Sequence, residues 1–164
     1  MQDKNYQGDI FRDGPLRYLG YTNEVGEAFR SLIPKSLVWT SYVIASGYVI
    51  SDTIHKGQKE YQKQKNDNEN KISNVLLSTA DTLLWQSFAS VIVPGITINR
   101  ICATVQYLQK YSKKTAMKSR WLSTAIGLIS IPLIIRPIDR GADQAMNATF
   151  RKWTGYQPHK NHHD

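Results

Sequence analysis

The sequence predicts an all-α fold: a multi-pass membrane helical bundle of about three spans with N- and C-terminal amphipathic helices. Three observations carry that prediction. Charge-free apolar runs recur three times, ionisable residues bracket each one, and each carries small or polar residues at helical spacing on one side. Averages over the 164 residues hide the pattern, since hydrophobic residues make up 41% and mean hydropathy is −0.43. Apolar runs that alternate with charged loops give a soluble-looking mean. The length corresponds to a single domain, residues 1–164.

The elements follow in order. An amphipathic helix is expected over about 22–33. Thr22 or Asn23 serves as its N-cap, Glu24 and Glu27 sit in its first turns, and Val25, Phe29, Leu32 and Ile33 form its apolar stripe. The first span covers about 33–54, around the uncharged run Ser36–Ser51 between Lys35 and Asp52. Ser36, Thr40, Gly47 and Ser51 share one of its faces. The stretch Lys56 to Asn74 is rich in Lys, Asn, Gln and Glu and reads as a solvated loop.

The second span covers about 75–98. Ser78, Asp81, Thr82, Gln86, Ala89 and Ser90 gather on one side, and Leu76, Ala80, Leu83, Leu84, Phe88 and Val91 on the other. Such a stripe suits a helix packed in a bundle with its other side toward lipid. The third span covers about 119–136. Its uncharged run, Trp121–Ile135, reaches only about 22 Å at 1.5 Å per residue. Trp121 as an interfacial anchor and a snorkelling Arg136 extend it. Ser123, Gly127 and Ser130 form its small-residue stripe. Gly47 and Gly127 are therefore expected at points of close helix approach, with Ala80 facing lipid. Pro34, Pro94 and Pro132 fall near or inside the three runs and are expected to kink them. A C-terminal amphipathic helix over about 138–153 follows Pro137. Ile138, Ala142, Ala145, Met146, Thr149 and Trp153 lie on one face of it, opposite Arg140, Asp143, Asn147 and Arg151.

Charge points to anionic partners. The formal net charge is +8. Lys110, Lys113, Lys114, Lys118 and Arg120 form an acid-free cluster suited to anionic lipid, at about 1 kcal/mol per cation near the surface. No nucleic-acid reading motif accompanies these cations, so nucleic acid is not an expected partner. The lone Cys102 excludes an internal disulfide. No P-loop, G-x-G-x-x-G, C-x-x-C or H-E-x-x-H occurs, so no catalytic, cofactor or metal site is expected and any nucleotide hydrolysis belongs to a partner. The tail histidines His159, His162 and His163 lack supporting groups for a metal. Met1 to Asp13 reads neither as a signal peptide nor as an Arg-rich presequence, which places any mitochondrial address in internal segments. Three spans would put 11 Lys and Arg on one side and 10 on the other, too even for the positive-inside rule. The density of the second loop leans it toward the matrix. Asp81 has two readings: an intramembrane functional carboxylate serving an ion path, or an interfacial group that caps its helix or pairs with Arg or Lys.

Several strings resemble a known family. Arg17-Tyr18-Leu19-Gly20-Tyr21 and the run Asn23 to Leu32 closely resemble the mitochondrial fission process protein family. Asp81-Thr82, Trp85-Gln86, Pro94-Gly95, Thr97 to Arg100 with Cys102, Ile131-Pro132 and Pro137 to Arg140 follow in the same order. The resemblance covers roughly Arg12 to Asp143. Lys56 to Asn74 and the tail beyond Ala145 do not align. It implies a multi-pass protein of the mitochondrial inner membrane that influences mitochondrial division and inner-membrane integrity, without an active site. An accessory structural subunit of a respiratory-chain or ATP-synthase assembly is the alternative. Expected partners are membrane lipids and other inner-membrane proteins, a respiratory complex among them. Glu24, Glu27, Asp81, Arg100, Asp139 and Arg140 fall at the recurrent motif positions. The acidic first helix and the Pro137–Arg140 turn are expected to pair across the bundle.

Overall fold

The computed structural model describes residues 15–63, 71–111 and 119–157, and most of these are helical with no strand among them. A 3-10 segment, Pro15–Tyr21, leads into the short helix α1, Thr22–Ala28. Helix α2 is Lys35–Lys63, α3 is Lys71–Gln86, and α4 is Val93–Tyr111. A π-helical segment, Ser87–Ile92, joins α3 to α4 without a break. Helix α5, Arg120–Ala148, is followed by α6, Phe150–Thr154.

Three long rods make the bundle: α2, the continuous α3–α4 helix, and α5 with α6. Contacts set the register. Asp52 meets Gln86, and Gly57 would touch Thr79 if it carried a Cβ, so α2 runs antiparallel to α3–α4. Gln109 reaches Ser119 and Arg151 reaches Asp81, so α5–α6 runs antiparallel to the same helix. The α3–α4 rod from Ile72 to Tyr111 is 40 residues, or about 60 Å. Helix α1 wedges between the rods at one end. Its Ala28 joins Ile98, Cys102 and Ile131 in the apolar core.

Several sequence expectations need correction. Much of the stretch from Lys56 to Asn74 is helical rather than loop: α2 continues to Lys63, and α3 begins at Lys71, with 64–70 outside the described residues. Buried Asp52 anchors Lys56 at 2.6 Å, and packing on α3 holds the polar turns that propensity alone would leave open. The third span and the C-terminal amphipathic helix are one helix, because α5 passes through Pro132 and Pro137. A proline removes one backbone donor, but neighbouring helices hold the rod together across the gap. Pro94 begins the turn after the π segment, where the widened backbone accommodates it. The N-terminal helix ends at Ala28 rather than near residue 33. Neither Thr22 nor Asn23 caps it. Thr22 Oγ1 donates to the carbonyls of Leu19 and Ser41, and Asn23 Nδ2 donates to the Val91 carbonyl, so both serve tertiary contacts.

Two helices, Ile72–Tyr111 and Arg120–Thr154, are long and apolar enough to cross a membrane. The first apolar run is not among them, because Ser, Thr and Tyr recur through Ser36–Ser51 and lower its hydropathy.

Candidate functional site

Polarity in this bundle is turned inward. Asn23, Glu24, Glu27, Asp52, Asp81, Gln86, Ser123 and Thr124 are all buried. Trp39, Val43, Ile50, Ile54, Leu76, Phe88, Ile96, Ile129 and Leu133 are exposed. The polar interior falls into three levels along the axis.

The first level centres on α1. Its acids, expected to pair across the bundle, do turn into the interior, and part of its apolar stripe is left outside. Glu24 and Glu27 are 1% and 2% exposed, whereas Val25 is exposed. The glycine at position 26 permits this. A Cβ there would overlap the Ser41 hydroxyl, so α1 lies directly on α2 and turns its acids toward α4 and α5. Glu27 then ties three segments together. Its carboxylate accepts from Arg30 at 2.6 and 2.5 Å, from Tyr42 Oη of α2 at 2.9 Å and from Asn99 Nδ2 of α4 at 2.8 Å. Burial pushes this carboxyl up, but the bonds from Arg30, Asn99 and Tyr42 together outweigh it and hold Glu27 below the usual carboxylate range.

Glu24 is the opposite case. Neither carboxyl oxygen has a hydrogen-bond partner among the described residues. Burial pushes its carboxyl up to about 8, only weakly opposed by its own backbone N–H. The unfolded chain would ionise near 4.5, so between 4.5 and about 8 the folded state holds the extra proton. Stability is greatest below that window and falls as pH rises through it. The thermal midpoint of the detergent-solubilised protein should therefore drop between pH 5 and pH 8. Glu24→Gln, which keeps the neutral shape, should remove most of that slope. A slope unchanged by the substitution would place the titrating group elsewhere.

The second level joins α2 to the end of α3. Asp52 accepts from Lys56 at 2.6 Å and from Gln86 at 2.5 Å, and Gln86 accepts from Ser90 at 2.8 Å. The third level holds Asp81. Arg151 grips it in a two-pronged pair at 2.7 and 2.9 Å and reaches on to Asp143 and Asn147. The pairing reading of Asp81 thus fits the geometry, whereas an ion path would need the carboxylate released from Arg151.

The remaining candidates divide. Gly127 sits at a close approach: a Cβ there would lie 2.7 Å from Cys102 Sγ and 3.0 Å from Ala28 Cβ. Gly47 does not, since nothing lies within 4 Å of its would-be Cβ. The stripe Ser36, Thr40, Gly47 and Ser51 faces outward, and Thr40 and Ser51 bond back to carbonyls of their own helix. Ala80 is half-buried. The carboxylate of the first helix that forms bonds does not take Arg140. Glu27 takes Arg30 instead, Arg140 is exposed, and Asp139 lines a cavity of about 90 Å³ with Gly20, Tyr48 and Trp85. Arg100 is exposed on α4. Of the basic cluster, Lys110 and Arg120 are exposed, and Lys113, Lys114 and Lys118 lie outside the described residues, as do the tail histidines. Sequence reasoning missed Tyr42, Asp52, Asn99 and Arg151. The available signal was a polar group beside or within a helical apolar run, which needs a partner once buried.

Comparison with known proteins identifies the family. Residues 10–146 match the family described as Mitochondrial 18 KDa protein (MTP18). The chain is 50% identical over 145 residues to mitochondrial fission process protein 1 of Caenorhabditis elegans, covering 88% of this chain and 87% of that one. It is 44% identical over 152 residues to the Homo sapiens protein of the same name, covering 92% and 91%. An uncharacterized protein of Acanthamoeba polyphaga mimivirus is 29% identical over 151 residues, covering 90% and 80%. No solved structure matches the chain. With the matched region reaching from the 3-10 segment through all three rods, the chain belongs to the mitochondrial fission process protein family.

Proposed function

We propose that this chain is an integral, non-catalytic protein of the mitochondrial inner membrane that takes part in mitochondrial fission by organising the bilayer around its helices. Family membership supports the role in fission. The observation that carries the membrane reading is the inverted polarity, with buried carboxylates and carboxamides inside and large apolar side chains outside. Water would penalise that outer surface, whereas lipid matches it.

The register supports three crossings. Counting about 20 residues, or about 30 Å, from one end of the bundle marks out a common slab. Lys35, Lys110 and Arg120 stand at one boundary with the exposed aromatics Trp39, Tyr107, Tyr111 and Trp121 beside them. Asp52, Gln86, Asp139 and Arg140 stand at the other. Helix α2 runs at the same depth as the two longer apolar helices, so if they cross, it crosses with them. The level of Asp81 and Arg151 then projects beyond the bilayer. Cations collected at the first boundary favour the matrix side for it.

Alkaline extraction and protease protection of intact mitochondria test the placement. The chain should stay in the membrane pellet, and opposite bundle ends should be cut from opposite sides. Depletion should lengthen the mitochondrial network. Release into the alkaline supernatant would overturn the membrane placement, and an unchanged network after full depletion would overturn the fission role.

A further inference from the structure

We propose that the groove between α1 and α2 holds one acyl chain of an anionic phospholipid, with the headgroup at the cationic end of the bundle. This inference rests on the membrane placement proposed above. The groove has a volume of about 330 Å³. Its floor is low because Gly26 and Ser41 bring the two backbones together, where any Cβ on Gly26 would overlap the Ser41 hydroxyl. Its walls are apolar: Val25 rises from α1, Phe29 from the turn just after it, and Leu37 and Ile44 from α2. A polar-lined cleft would reject a hydrocarbon chain, but this one offers it contact on both sides.

Charge decides which lipid. Arg30, Lys35, Lys110 and Arg120 are exposed toward the end of the bundle where the groove meets Ile33 and Leu37. Only two described acids lie on that side. Glu27 is buried against Arg30, and Glu24 is buried with its carboxyl protonated below about 8. The other described acids, Asp52, Glu60, Asp81, Asp139 and Asp143, belong to the opposite half by register. A phosphate headgroup at this boundary meets cations without competing exposed carboxylates among the described residues, and each cation near the surface attracts anionic lipid.

Native mass spectrometry of the full chain tests the proposal after reconstitution in vesicles of equal phosphatidylcholine and phosphatidylglycerol and gentle re-extraction. Wild type should retain one phosphatidylglycerol per chain, at least tenfold over phosphatidylcholine. Thr40→Trp, which fills the groove, should lose it. Val43→Trp, on the exposed face outside the groove, should keep it. Lys35→Glu should cut the headgroup preference several-fold without removing the chain. Equal retention by Thr40→Trp and Val43→Trp would overturn the groove. Equal retention of both lipids by wild type would overturn the anionic headgroup. Dimers lost only in Thr40→Trp would make a second copy the occupant and overturn the lipid. A chain that never enters the vesicles would fail the membrane placement instead, which separates the two ideas.

Discussion

Glu27→Ala should cost the most of any single truncation in this bundle, about 3–5 kcal/mol by the scale for breaking a buried charged pair. The reason is convergence. One carboxylate at 2% exposure accepts bonds from α2, from α4 and from Arg30, so its removal leaves Tyr42 Oη and Asn99 Nδ2 unpaired inside the bundle. Arg30 is 42% exposed at its side chain and can turn to water, which keeps the loss at the lower part of the range. Glu27→Gln should be milder, because the amide oxygen still accepts. Thermal midpoints in detergent check this, and a midpoint for Glu27→Ala within 1–2 °C of wild type would mean that the network does not hold α1 in place.

Gly127→Leu should rank next. A Cβ at this position already approaches Cys102 Sγ to 2.7 Å and the Ala28 backbone to 3.3 Å, and a leucine adds three further carbons. Overpacking typically costs about 1–3 kcal/mol, and more where backbones must separate. The midpoint should fall by roughly 3–10 °C on the usual scale for a chain of this size. Gly47→Leu provides the contrast. Nothing lies within 4 Å of its Cβ position, so the same added volume should change the midpoint by less than about 1 °C. Equal losses for the two variants would mean that Gly47 meets a partner helix that the single chain does not contain.

The two glycines also show where sequence reading stops. Both sit in apolar runs beside serines at helical spacing, and nothing local distinguishes them. Position on a helix wheel fixes which residues share a face but not what that face meets. For α3 the inward side was legible, since Asp81 and Gln86 need partners and both are buried. For α2 the small-residue stripe misled, because its hydroxyls bond back to their own helix and require no neighbour. For α1 the helix wheel separated Val25 and Phe29 from Glu24 and Glu27, but it could not tell that the acidic face would be the buried one.

The sequence by itself determined the helical class, the three apolar runs, the missing nucleotide-binding motifs and the family. These depend on local composition and on long matching strings, which survive without knowledge of contacts. Only the tertiary structure decided which stripe faces in, that Asp81 pairs with Arg151 seventy residues away, and that Glu27 links the first helix to α2 and α4. It also decided that α2 and α5 run on through segments that read as a loop and as a proline break. Each of these is a choice among partners distant in sequence. The register between antiparallel rods makes that choice, because it brings specific donors to specific carboxylates.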